Sequence, residues 1–472
     1  MNELLGLYPA WVEPGVGAGW VIGIIATIHV LFSHASVGSA LVFAWLARRA
    51  VTANQPQHLD FIRRYGAFLL IFSYVLGSVT GPGIWFAATI ASPRGISALI
   101  HNFVWLWATE WVFFLIEVAG VYLLVYLAGR VPVKTYLRYC SIFALSSVGT
   151  LLIIVGVLSF MLWPGQPFWA QEGGVLSAFF GESMFAQLAV RFFFMLTIAG
   201  VVGGFAAAKT KDPAEKRYIA RCLAGLGTIG VVLGAASTYW FVQTFAGHAS
   251  PVTLSRLPES FIPMMCATLV VTLLYFALTA WRPSMMNFVT TGAAMIVILV
   301  LGLAPGETAR EIVRKPWVAG QYVYANQIVG ADVPHLNVKS ELAQLEKNGI
   351  LGSHPFLPEE IRKPESKWAR LEAGRVVAMQ ACSSCHSLTK TGVRPIGQYF
   401  PAEPQAQGIY EWLSAGLYRG HIAYMPPLPL PELDRQVTAE FLAELLKLEK
   451  SDPKRAEKVA VEGFAKDAPE VK

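Results

Sequence analysis

The sequence predicts an all-α chain: a polytopic bundle of about eight membrane-spanning helices followed by a small soluble α-helical domain. Three observations lead there. The composition is too apolar for a soluble protein of 472 residues, with a mean hydropathy of +0.49, 54% hydrophobic residues and only 14% charged ones. The apolar residues gather in long runs between 18 and about 303, whereas 307–472 has the Glu, Lys and Pro content of an ordinary soluble sequence. In that second region apolar residues recur at helical spacing over 367–380, 409–418 and 432–448, separated by Pro- and Gly-rich stretches.

A span needs roughly 20 apolar residues. Runs of that kind fall at about 18–46, 67–91, 99–128, 136–163, 183–207, 219–246, 260–281 and 285–304. Backbone groups in lipid must be satisfied within the segment, so these runs are helices. The start of the chain has acidic residues, no basic stretch and no small-residue cleavage site, so the first run is read as a true span and not as a removed signal. Arg48, Arg49, Arg63 and Arg64 follow the first run. Arg130, Lys134 and Arg138 follow the third, Lys209, Lys211, Lys216, Arg217 and Arg221 the fifth, and Arg282 the seventh. The alternate loops carry chiefly Arg94 and Arg256. This asymmetry places the basic loops in the cytoplasm and both termini outside. The formal charge of +6 is then a property of topology, and no nucleic-acid partner is implied. The expected organisation is a helix bundle over 1–304, an extracytoplasmic connector over 305–365, a soluble domain over 366–450 and a charged, solvated tail over 451–472. His58, in a basic loop, is expected to be solvated.

Two of the five cysteines carry chemistry. Cys382-Ser383-Ser384-Cys385-His386 has the spacing at which two thiols reach the two vinyl groups of one porphyrin, with the next histidine placed as an axial iron ligand. The competing reading is a zinc pair, which wants a second Cys or His pair, and no second cysteine pair exists. The motif predicts one covalent heme c, attached on the outer face of a bacterial membrane. Met425, in Ala423-Tyr424-Met425-Pro426-Pro427, resembles the ligand loop of small class I cytochromes c and is the expected sixth ligand, with His421 the rival. Cys140, Cys222 and Cys266 read as small packing residues.

Ionisable groups inside spans are costly and each is a functional candidate. The first span holds His29 and His34. The third holds Glu110 and Glu117, two turns apart and on nearly one face. The glutamates either relay protons, neutralise a heme iron or tie helices together; His29 either binds a heme iron or packs.

These residues carry a family resemblance. His29 on the first helix, Glu110 to Glu117 on the third, and Glu311-Ile312-Val313-Arg314-Lys315-Pro316-Trp317 beyond the eighth span resemble, in this order, subunit I of the cytochrome bd quinol oxidases. The resemblance covers about 10–320. It implies one or two non-covalent hemes, b and/or d, with His29 and Glu311 as iron ligands, Arg314 as a heme-propionate or charge partner, and Glu110 and Glu117 in a proton path. It also implies a second membrane subunit. The departures are equally plain. The family's fifth-helix histidine is missing, with Arg191 near that region. Met264 matches the methionine partner but lacks a histidine opposite. The long quinol loop between helices six and seven is absent, as is the ninth helix, whose place the soluble domain takes. The expected function is membrane-bound respiratory electron transfer between an extracytoplasmic heme c and membrane hemes in the bacterial cytoplasmic membrane. Extracytoplasmic cytochromes or redox proteins are the expected exchange partners. Two outcomes stand: reduction of O2 or another small molecule, or a non-catalytic relay within a larger respiratory complex. A transporter with an appended cytochrome is the weakest alternative, because no broken-helix pair is evident.

Overall fold

A computed structural model of the chain describes Trp11 and residues 18–163, 165–166, 168–245, 255–392, 394–401, 404–418 and 425–466. Eight helices among them are long and apolar enough to cross a membrane. They are α1 (Gly19–Thr52), α2 (His58–Ala91), α3 (Pro93–Leu127), α4 (Val133–Leu162), α5 (Met184–Ala208), α6 (Pro213–Gln243), α7 (Phe261–Trp281) and α8 (Phe288–Arg314). Large apolar side chains such as Trp105, Phe86 and Val289 stay exposed on the outside of this bundle, as lipid contact requires. The interior is set by close helix approach. At Gly38 on α1 an added Cβ would lie 2.2 Å from the Met195 carbonyl oxygen of α5, so only glycine lets these two backbones meet there.

Helix α8 runs about three turns past the apolar limit expected at 304. Pro305 and Gly306 follow a π-helical stretch over Ile298–Leu303, and the helix then continues as Ala304–Arg314. Glu307 pairs with Arg310 and Glu311 with Arg314, each one turn apart, so charges that read as a soluble segment neutralise one another along the helix.

The connector is not a loose spacer. Strands β1 (Trp317–Ala319) and β2 (Val323–Tyr324) form a small antiparallel hairpin. Val318, Ala319, Tyr322 and Val323 are buried in one apolar cluster with Phe103 of α3 and Phe160 of α4. Arg94, one residue into α3, donates to both carboxylate oxygens of Glu341 and to the Gln327 carbonyl at 2.7 Å. The soluble domain is helical, with α9 (Leu342–Ser353), α10 (Lys367–Ala381), α11 (Glu432–Ser451) and α12 (Pro453–Glu462) around its own core. The solvated tail expected from 451 is corrected by α12. Asp452 caps it, Ala456, Val459 and Ala460 are buried, and the Phe464 carbonyl accepts from Trp368 Nε1 at 2.8 Å.

His58 is also corrected. It is 1% exposed, held between Glu215 at 3.0 Å and Gln55 at 2.8 Å, and stacked on Tyr218. The start of α6, which Asp212 caps, brings these partners to the start of α2.

Candidate functional site

One cavity of about 1110 Å³ runs from the middle of the bundle to the soluble domain. It exceeds the roughly 300–1,000 Å³ of most small-molecule and cofactor pockets. His29, His34, Glu110, Glu117, Glu311, Arg314, Cys385 and His386 all line it. The fold therefore brings residues from both ends of the chain to one space. Cys382 is buried just behind, at the end of α10.

His29 Nδ1 lies 2.9 Å from Thr80 Oγ1 on α2. The Thr80 hydroxyl in turn donates to the Leu76 carbonyl at 2.9 Å, so its oxygen is left to accept from His29 Nδ1–H. This fixes the tautomer that leaves Nε2 with a free lone pair, the arrangement a metal-binding imidazole needs. Glu117 is 3% exposed and accepts from Thr150 Oγ1 at 2.6 Å; Tyr74 stands at 3.5 Å and itself accepts from Ser36 at 2.6 Å. Glu117 thus ties α3 to α4 and, through Tyr74, to α1. Glu110 is half-buried and faces the same cavity.

At the domain-facing end, Glu311 is held by Arg314 and by Lys315 Nζ at 3.4 Å. Lys315 reaches across to Cys385, with Nζ 3.0 Å from Sγ. One side chain therefore touches both the candidate membrane ligand and the candidate covalent attachment. His386 Nδ1 donates to the Arg394 carbonyl at 3.0 Å, again leaving Nε2 free. Burial, with a smaller contribution from the Lys315, Arg394 and Arg256 cations, pushes the His386 imidazole down to about 4, which keeps it neutral. Burial pushes the Cys382 thiol up to about 12, so the sulfur is a protonated core group.

This donor set fits a porphyrin better than a bare ion. No group of three or more His, Cys, Asp or Glu side chains able to hold a metal ion occurs among the described residues. A porphyrin supplies four of the ligands itself and asks the protein for one or two. His29 and His386 each offer one nitrogen with its partner nitrogen already engaged.

Two expected residues do not join the rest. Met264 lies on α7, away from the cavity lining, where its carbonyl accepts from Thr268. Met425 is half-buried against the soluble core, outside that lining, and the preceding residues 419–424 with the rival His421 lie outside the described residues. So does His248. Most of the short loop between α6 and α7, the place of the resembled family's quinol segment, lies outside them too. Sequence reasoning missed Glu307 and Arg310, which line the cavity beside Arg191. Their i, i+3 spacing was the available signal.

No family model matches the chain, and no curated protein does. Among solved structures the chain is similar to the bd oxidase from Geobacillus thermodenitrificans, with a TM-score of 0.52 and 15% sequence identity. The match covers 65% of this chain and 89% of that one. At such identity the likeness is one of fold: this is a multi-pass membrane protein whose helical bundle has a cytochrome bd-like fold.

Proposed function

We propose that the chain is a membrane-bound respiratory electron-transfer protein. In this reading a covalent heme c on Cys382 and Cys385 exchanges electrons with one or two b- or d-type hemes in the bundle, and O2 or another small molecule is reduced there. The observation that carries it is the single cavity reaching from His29 among the helices to His386 in the soluble domain. The hemes supply the one-electron chemistry; the protein supplies ligands, spacing and dielectric. His386 and Met425 would hold the heme c iron, and His29 and Glu311 are the candidates for membrane iron.

The chain's own residues divide the remaining work. Thr80 aims the His29 ring. Lys315 holds the attachment loop against the end of α8. Arg314 offsets the charge of Glu311. Glu110 and Glu117 are the proton-holding groups of the cavity, with Glu117 braced by Thr150 and Tyr74. The soluble domain would face outside the bacterial cytoplasmic membrane, where redox proteins reach it, and the exposed apolar helix faces would meet lipid and a second membrane subunit.

The test is heme stoichiometry by pyridine hemochrome, separating covalent from extractable heme, followed by carbon monoxide difference spectra of the reduced protein. One heme c with one or two extractable hemes, and a carbon monoxide-shifted Soret band, is the expected result. Absence of extractable heme refutes the membrane site. Extractable heme without a shift makes the chain a six-coordinate relay and refutes small-molecule reduction.

A further inference from the structure

Arg191 is a cation of the cavity wall inside the bundle. It stands seven residues into α5 from the end facing the soluble domain, about 10 Å down at 1.5 Å per residue. It lines the cavity, and among the described residues no hydrogen bond or ion pair engages it. The nearby acid, Glu307, is already taken, since both of its oxygens accept from Arg310, at 3.1 and 3.0 Å from Nε. Glu311 is likewise taken by Arg314 and Lys315. Even so, Arg310 Nη1 and Arg314 Nε are buried without partners. Arg191, Arg310, Arg314, Lys315 and Arg394 thus face only two carboxylates at this end of the cavity. A guanidinium inside a membrane bundle without a counter-charge is costly, and a cavity with excess cations calls for an anionic occupant.

The shape of the surroundings narrows the occupant. Val37, Leu151, Ile154, Leu158 and Met195 make the neighbouring wall apolar. A flat apolar body carrying acid groups on one edge satisfies both halves, and the planar guanidinium fork matches a carboxylate in two parallel hydrogen bonds. We propose that Arg191 binds a propionate carboxylate of the membrane heme, so that α5 orients that heme by its acid edge and not through its iron. This rests on the reading that the bundle holds non-covalent heme. A phospholipid headgroup would offer the same anionic oxygens, and the test separates the two.

The experiment uses the full chain in detergent, with Arg191→Gln and Arg191→Lys. Covalent heme c serves as the count of protein, and two quantities are read: extractable heme per heme c, and the midpoint potential of the extractable heme. Loss of a positive charge beside a propionate favours the ferric state. The Gln variant is therefore expected to lose at least half of its extractable heme and to titrate at a lower potential. Lys keeps the charge without the fork and is expected to fall between. A Gln variant with full heme and an unshifted potential overturns the proposal and leaves a lipid phosphate or other anion as the partner. Should the Gln variant fail to accumulate, a Lys variant identical to wild type in both readings overturns it. Wild-type protein with heme c and no extractable heme overturns the reading beneath it as well.

Discussion

Asp434 offers a test of the soluble domain that needs no cofactor. It sits on α11, is 2% exposed, and accepts from the Ile350 amide at 2.6 Å and the Leu351 amide at 3.3 Å. Those amides belong to a kink in α9 at Gly349, whose φ of +67° brings the backbone so close that a Cβ there would lie 2.5 Å from Asp434 Oδ2. Burial pushes the Asp434 carboxyl up to about 6 from 3.8, against the opposite pull of the two amides. The folded domain therefore holds this proton more tightly than the unfolded chain does. Its contribution to stability is fully present below pH 3.8, falls as pH rises, and is gone above about 6. The gap corresponds to about 3 kcal/mol at roughly 1.4 kcal/mol per pH unit. Asp434→Asn keeps an acceptor for the amides and removes the charge. Peptides from α9 and α11 should then exchange amide hydrogen at the same rate as wild type at pH 4, and about a hundredfold more slowly at pH 7.5. Equal exchange at pH 7.5, or a difference that grows as pH falls, would refute the linkage.

Three further outcomes follow from particular contacts. Gly38→Ala puts a methyl group against the Met195 carbonyl, and overpacking of this kind costs about 1–3 kcal/mol, so the melting temperature in detergent should drop; an unchanged value would show that α1 and α5 do not touch there. Arg94→Ala leaves the Glu341 carboxylate facing only the Val329 amide, and charge-assisted bonds of this type are worth about 1.5–3 kcal/mol. Faster hydrogen exchange is expected over 317–341, and adding Glu341→Ala should cost less than the sum of the two changes. Cys382→Ala together with Cys385→Ala removes both candidate thioether positions, so heme staining on a denaturing gel should disappear; staining that persists would place the covalent attachment elsewhere.

Much of this architecture was legible because membranes impose simple demands. The eight apolar runs gave eight helices, since lipid leaves the backbone no alternative, and the Cys-Ser-Ser-Cys-His spacing is read from adjacent residues. The errors share one cause. Glu307 to Arg314 read as a soluble start because pairing between successive turns is not visible in a hydropathy sum. His58 read as solvated because its partner Glu215 lies 157 residues away in sequence. The last helix read as a tail because Ala456, Val459 and Ala460 are a thin apolar stripe among lysines and glutamates. That Arg191 makes no ion pair among the described residues was also invisible, because only the three-dimensional arrangement shows that Glu307 is already engaged by Arg310.

The bracing of the connector by Phe103, Phe160 and Arg94 has a kinetic consequence. A carrier on a slack tether must search for its docking pose at every cycle, and its rate then depends on viscosity and ionic strength. A domain whose connector is wedged between two helix ends has already completed that search. If the proposed heme c is in place, electron exchange between it and the bundle should be unimolecular and indifferent to added glycerol or salt, leaving diffusion to limit only delivery from outside.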